Sequence, residues 1–287
     1  MLLSLLVVCL NGRAQTGRGL GKDAYDIWQA GGDWQQAAVT TILQSHEGYL
    51  WLGTYHGLTR FDGVRFTVFD SGNTPELPNG LITSLYEDSH GILWIGHETG
   101  QLTRLGNSGF ESVALGSKWP GGSIESIVAD ERGDLWLLND GGVLFRIRDN
   151  TTVLIPGGAS PTRKVGLCRD HNNRLWIVSN GTVSTLERGQ VASFRFGAVG
   201  LDDFVERVLP APDGGMWVLA NQRLRKWKGG RWTAELETGS QAAGSISVLL
   251  ETATGSVIAG TLRDGLFLLR PGVAPVHFTR ADGLSHH

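Results

Sequence analysis

An all-β fold is predicted by three features of this 287-residue chain. Forty-one glycines against two methionines disfavour helix, because a glycine costs an interior helix position about 1 kcal/mol. Tryptophan returns at nearly fixed spacing, at Trp51, Trp94, Trp136, Trp176 and Trp217, with Ile258 in the sixth equivalent place; the intervals are 43, 42, 40, 41 and 41 residues. Around each anchor the same grammar of turn residues and short apolar runs recurs. Four short strands every 40 to 45 residues is the pattern of β-propeller blades, and six complete blades are predicted over residues 39–279.

The elements follow in order. Three residues before each anchor stands Gly48, Gly91, Gly133, Asn173, Gly214 or Gly255, residue types that tolerate the positive φ of a tight turn. Two residues after it comes Gly53, Gly96 or Gly260, replaced by Leu138, Val178 and Leu219 in the other copies. In the first unit the strands are Val39 to Gln44, Tyr49 to Thr54, Leu58 to Phe61 and Val64 to Phe69, the last two joined by an Asp62-Gly63 hairpin turn. The first strand repeats its own apolar pairs, Val39/Ile42, Ile82/Leu85, Ile124/Ile127, Val165/Cys168, Val205/Val208 and Ile246/Leu249. Each tryptophan falls on a second strand, where a flat side chain fills the wedge between blades; its burial is worth on the order of 2–3 kcal/mol.

The flanks read differently. Leu2 to Leu10 is an apolar run too short to span a bilayer, and Gly12-Arg13-Ala14 supplies small residues for cleavage before Gln15. Residues 1–14 are therefore expected to be a secretory signal, without the usual basic start, and the mature chain is expected to be exported. Residues 15–38 form a lead-in with one strand at Ala24 to Trp28, able to pair with C-terminal strands and close the ring. Residues 280–287 read as the start of a further repeat, so the expectation is a truncated seven-bladed propeller. Cys9 lies inside the signal run, which leaves Cys168 as a single thiol with no intrachain disulfide to form. The net charge of −3 removes the basic footprint that nucleic-acid binding needs. At 41% hydrophobic and 18% charged residues, the chain is neither disordered nor membrane-embedded in composition.

The string Gly48-Tyr49-Leu50-Trp51-Leu52-Gly53-Thr54, continuing Gly57-Leu58-Thr59-Arg60-Phe61-Asp62-Gly63-Val64-Arg65-Phe66, resembles the two-component regulator propeller repeat. Residues Glu87 to Gly96 are similar to a second copy, and Tyr25-Asp26-Ile27-Trp28 with Asn73-Thr74-Pro75-Glu76-Leu77 is similar to the exported start of such sensors. The resemblance covers about residues 24–287 and fades from the third repeat onward. It implies a periplasmic sensor region, usually two seven-bladed propellers, followed by an immunoglobulin-like connector, a membrane helix and an output module. That output is commonly a histidine kinase, often hybrid, and sometimes a diguanylate cyclase.

The chain carries no G-x-S-x-G elbow, phosphate-binding loop, H-E-x-x-H or paired C-x-x-C. No catalytic residue, metal site or cofactor is therefore assigned. Ser45-His46-Glu47 reads as a turn rather than a phosphoaccepting box, and Asp88, Asp130 and Asp170, six residues before their tryptophans, read as turn acceptors rather than calcium ligands. Antiparallel alternation sends the turns between second and third strands, and the loops between blades, to one end of the molecule. Loops on a rigid scaffold are the usual place for function. The candidate ligand-binding residues there are Tyr55, His56, His97, Glu98, Asn139, Asp140, Arg263 and Asp264, a mixture suited to a small polar ligand or oligosaccharide. The partner expected is that ligand, with no nucleic acid and with a membrane only through a downstream segment; a homodimer stays open for the full-length protein. Two other readings stand beside ligand sensing: a lyase-like propeller enzyme using His56 or His97, and a protein-interaction scaffold.

Overall fold

The structure is a computed structural model that describes residues 39–279, apart from 79, 150, 155–165, 180, 188–189, 197–203, 222, 239–245, 253–254 and 262–263. The expected signal, the lead-in with its strand at Ala24 to Trp28, and residues 280–287 lie outside the described residues. Blade 1 comprises β1 (Val39–Gln44), β2 (Leu50–Thr54), β3 (Gly57–Phe61) and β4 (Phe66–Phe69). Blade 2 holds β5 (Ile82–Glu87), β6 (Leu93–His97), β7 (Leu102–Gly106) and β8 (Gly109–Val113). Blade 3 follows with β9 (Ile124–Ala129), β10 (Leu135–Asn139), β11 (Val143–Arg146) and β12 (Thr151–Leu154). Blade 4 has β13 (Gly166–Arg169), β14 (Leu175–Ser179), β15 (Thr182–Glu187) and β16 (Gln190–Phe194). Blade 5 has β17 (Val205–Pro210), β18 (Met216–Ala220), β19 (Arg223–Lys228) and β20 (Arg231–Leu236). Blade 6 ends the series with β21 (Ile246–Glu251), β22 (Val257–Thr261), β23 (Leu266–Arg270) and β24 (Val273–Phe278).

Each blade is one antiparallel sheet with its strands in sequence order, and the described residues contain no helix. First strands meet around the centre, β1 on β5, β5 on β9, β9 on β13 and β13 on β17. Hydroxyls stitch this inner ring: Thr40 Oγ1 donates to the Ile82 carbonyl and Thr83 Oγ1 to the Ile124 carbonyl, both from positions where the first strand bulges. A bulge frees one residue from its own ladder, and here that residue bonds the next blade.

The five tryptophans are all buried, and each packs against the following blade. Trp51 meets Ile82, Leu93 and Ile95; Trp94 meets Ile124, Ile127 and Leu137; Trp136 meets Leu175 and Ile177. Trp176 meets Val205, Met216 and Val218, and Trp217 meets Ile246, Leu249 and Ala259. This is the wedge role expected from spacing. On the neighbouring third strand a cation stands opposite four of them, Arg60, Arg104, Arg146 and Lys226. The cationic groups of Arg60, Arg146 and Lys226 lie 5.9, 5.2 and 5.2 Å from the ring centroids, cation–π distances worth roughly 0.5–2 kcal/mol each.

The glycine after the tryptophan has a different task from the glycine before it. A Cβ built on Gly53 would lie 2.6 Å from Thr41 Cγ2 and 2.7 Å from Ile82 Cγ2, so the next blade closes onto bare backbone there. One expected strand is shorter than its sequence suggested. Asp62 Oδ1 accepts the main-chain N–H groups of Val64 and Arg65, at 2.8 and 2.7 Å, which winds those two residues into the turn and delays β4 to Phe66. The same bonds, from Arg65 first and then Val64, hold the Asp62 carboxyl below its ordinary pKa.

Large exposed apolar side chains concentrate at the two ends of the series. Ile42, Tyr55, Val64 and Val68 belong to blade 1 and Val248, Leu250, Val273 and Val276 to blade 6, while the described residues of blades 2 to 5 supply none.

Candidate functional site

The β2–β3, β6–β7, β10–β11 and β22–β23 turns carry the eight residues singled out from the sequence, and the incoming loops between blades reach the same end. Glu98 N–H donates to the Leu81 carbonyl at 3.0 Å, Asp140 N–H to the Ser123 carbonyl at 3.0 Å, and the Trp119 indole to the Gly100 carbonyl at 3.0 Å. The first two tie a turn to the loop preceding its own blade, and the third ties the blade 2 turn to the loop leading into blade 3. The surface is therefore a set of braced turns.

Blades 1 and 6 use one turn design. Thr54 Oγ1 donates to the Gly57 carbonyl and accepts the His56 N–H; Thr261 Oγ1 donates to the Gly265 carbonyl and accepts the Asp264 N–H. With the threonine absorbing the local backbone groups, Tyr55 and His56 are left exposed. Asp264 is half-buried, its carbonyl accepting from His277 Nε2. Arg263 lies outside the described residues.

Blades 2 and 3 turn their first site residue inward. His97 is 2% exposed, with Nε2 3.0 Å from Thr103 Oγ1 and Nδ1 enclosed without a hydrogen-bond partner. Burial alone lowers its pKa to about 4, so the ring is neutral at physiological pH. Asn139 is equally enclosed: Nδ2 donates to the Gly121 carbonyl and Oδ1 accepts the Val143 N–H, both at 2.7 Å. Glu98 and Asp140, one residue further on, are exposed. The structure thus presents Tyr55, His56, Glu98 and Asp140 to solvent and uses His97 and Asn139 to shape the turns that carry them. No described hydrogen bond joins the two histidines: His97 is engaged with Thr103, and His56 through its main chain. Among the described residues, no group of three or more His, Cys, Asp or Glu is placed to hold a metal ion. Cys168 is half-buried, and desolvation pushes its thiol up to about 12, away from nucleophilic chemistry.

At the opposite end a cleft of about 180 Å³ opens between blades 4 and 5, bounded by Arg174, Phe194, Gly215, Trp227 and Lys228 among others. Sequence reasoning passed over it because Trp227 falls outside the 41-residue register. The glycine pairs Gly214-Gly215 and Gly229-Gly230 beside that tryptophan were the available signal.

The described residues form a β-propeller of four-stranded repeats. Residues 34–56 and 76–99 match the family model described as two component regulator propeller, so the repeat resembled by the sequence is present around the second strands of blades 1 and 2. No curated protein matches the chain. Among solved structures, the extracellular domain assigned to a hybrid two component system of B. thetaiotaomicron superposes with TM-score 0.67 at 17% identity, over 89% of this chain and 35% of that one. This chain therefore spans about a third of that domain. A catalytically inactive variant of virginiamycin B lyase from Staphylococcus aureus, with quinupristin, superposes with TM-score 0.69 at 15% identity, over 88% of this chain and 86% of that one. PorZ, a surface component of the type-IX secretion system of Porphyromonas gingivalis, gives 0.60 at 17%, over 80% and 38%. At these identities the likeness is one of fold.

Proposed function

We propose that this propeller is the extracytoplasmic ligand-sensing region of a two-component-type sensor, binding a small polar ligand or saccharide and relaying to an output module elsewhere in its system. The observation that carries this reading is the two component regulator propeller repeat in the first two blades. The apolar run Leu2 to Leu10 supports export to the periplasm. Tyr55, His56, Glu98 and Asp140 are the exposed contacts, with half-buried Asp264 beside them, and Arg263 stays a candidate from the sequence alone. An aromatic face and several hydrogen-bonding groups on braced turns give orientation to a hydroxyl-rich ligand. His97 and Asn139 hold the turns. Ligand binding signals by favouring one arrangement of the attached parts over another.

A thermal-shift screen of mono- and oligosaccharides on the full chain tests the proposal, followed by Tyr55→Ala, His56→Ala and Asp140→Ala. A hit whose stabilisation falls in at least two of these variants supports it. A hit indifferent to all three overturns the site. Consumption of the ligand, abolished by His56→Ala, would establish the lyase-like reading instead.

A further inference from the structure

We infer that the cleft between blades 4 and 5 is a second binding site, for a small ligand that joins a carboxylate to a flat apolar body. It lies at the end carrying the first–second and third–fourth strand turns, opposite the face assigned above, and does not depend on that assignment.

The cleft coincides with one departure from the repeat. Two positions before the tryptophan, the other described blades with that anchor carry Tyr49, Ile92, Asp134 or Arg174, whereas blade 5 carries Gly215. Phe194 of blade 4 and Trp227 of blade 5 both line the cleft, each half-buried, with the buried Phe196 ring in contact with the two at 5.0 and 5.9 Å. Their hidden sides are already committed: Phe194 meets Trp176 edge-on at 4.6 Å, and Trp227 meets Trp232 in the same way at 5.0 Å. Half-buried aromatic surface on the cleft lining suits a body with at least one flat, apolar face.

The polar groups at the mouth differ in how far they are already used. Asp170 is spent, since Oδ1 accepts the N–H groups of Asn172 and Arg174 and Oδ2 accepts the Trp176 indole. Among the described residues Lys228 has one ion-pair partner, Asp213 Oδ2 at 3.2 Å, and that carboxylate is shared with Lys226 at 3.0 Å. The Arg174 guanidinium is exposed and lies 5.7 Å from the Trp176 ring centroid; among the described residues no carboxylate is in ion-pair range of it. A guanidinium with no carboxylate partner among the described residues and an ammonium with a single shared one, both lining the cleft, suit the two oxygens of a carboxylate. Sugar acids and aromatic acids both present that group on a flat body.

Two probes separate the sources, D-glucuronate and phenylacetate, each paired with a neutral analogue, glucose and 2-phenylethanol. Binding to the full chain is read by calorimetry and by tryptophan fluorescence, which Trp227 should report. The expected result is binding of at least one acid, no comparable binding of its neutral analogue, and weakening of tenfold or more in Arg174→Ala. Lys228→Ala should weaken it less. Arg174→Ala keeps the main-chain N–H that bonds Asp170, so the turn stays intact. Glucuronate binding would assign a sugar acid and phenylacetate binding an aromatic acid. Tyr55→Ala and His56→Ala should leave either unchanged, which separates this site from the turn face. Failure of both acids to bind at millimolar concentration, or binding that survives Arg174→Ala, would overturn the inference.

Discussion

Blades 2 to 4 and blades 1 and 5 carry the same tryptophan anchor but brace its surroundings differently. In blades 2, 3 and 4 an aspartate six residues before the anchor accepts two turn N–H groups with Oδ1 and the indole N–H with Oδ2: Asp88 for Trp94 at 2.9 Å, Asp130 for Trp136 at 3.0 Å, Asp170 for Trp176 at 2.8 Å. Blades 1 and 5 have Ser45 and Ala211 at that position. There a glutamate ends the first strand of the following blade. Glu251 accepts the Trp217 indole at 2.9 Å, and Glu87 accepts the N–H and Nδ1 of His46, both at 2.8 Å. After the aspartate-bearing blades that same glutamate position holds Ala129, Arg169 and Pro210. The turn itself does not decide between the two devices, because its closing bond recurs in all six blades, including Gly214 N–H to the Ala211 carbonyl. Aspartate satisfies the indole within its own blade. Glutamate makes one blade depend on the next.

The largest expected effect breaks the glutamate device. Glu251 and Lys226 have side chains only 6% and 11% exposed, and Lys226 Nζ lies 3.1 Å from Glu251 Oε1. Removing one partner of an enclosed ion pair typically costs about 3–5 kcal/mol. Glu251→Ala should fall near the lower end, about 3 kcal/mol, because Lys226 keeps Asp213 at 3.0 Å. Urea denaturation reads the loss, and Lys226→Met combined with Glu251→Leu should recover much of it. A cost under about 1 kcal/mol would mean that blades 5 and 6 do not depend on each other through this pair.

A second effect belongs to blade 2 and appears only with pH. His97, held near 4 by burial against about 6.5 in the unfolded chain, stays neutral when folded while the unfolded chain takes up a proton. Its contribution is fully present above pH 6.5 and is lost as pH falls towards 4, on the order of 3 kcal/mol in total. His97→Gln should flatten that part of the acid limb in urea titrations at pH 7, 5.5 and 4.5. An unchanged acid limb would mean that the ring is hydrated.

Breaking the aspartate device should cost less, because no charged partner is stranded. Asp130→Ala leaves the Trp136 indole, on a 1% exposed residue, without its acceptor, a loss of about 2 kcal/mol. Asp130→Asn keeps an acceptor oxygen and should cost clearly less. If Asp130→Ala proves as damaging as Glu251→Ala, the local and cross-blade devices are energetically equivalent and the contrast between them fails.

The legibility of these features follows the same local and non-local divide. Spacing alone placed the six blades and the five wedges, and a three-residue offset located the positive-φ residue of each turn between first and second strands, from Gly48 to Gly255 and including Asn173. The aspartates were readable as turn acceptors because their backbone partners lie within four residues. Their second oxygen, and Glu251 altogether, were not, since one bond crosses a strand and the other joins residues 34 apart in sequence. The candidate face shows the same limit. Topology sends Tyr55, His56, Glu98 and Asp140 to one end, but the inward rotation of His97 and Asn139 depends on Thr103 and Gly121, which no local pattern announces.

The smallest expected effect sits at the other glutamate interface and runs opposite to His97 in pH. His46 has a raised pKa, first through its hydrogen bond to Glu87 and then through that carboxylate's charge. A base whose folded pKa is raised contributes stability below its unfolded value of about 6.5, and the contribution disappears as pH rises through the folded value. Because the His46 side chain is 64% exposed, solvent and salt screen the pair. His46→Gln should therefore lower the midpoint of thermal unfolding slightly at pH 5.5 and not at pH 8.5, and 0.5 M salt should shrink the difference at pH 5.5, since screening shortens to a few ångströms, about 4 Å. The main-chain bond from His46 to Glu87 survives the substitution, which isolates the ring's share. A pH-independent difference would place the whole worth of this contact in that main-chain bond, leaving blades 1 and 2 joined by a fixed clamp with no titratable part.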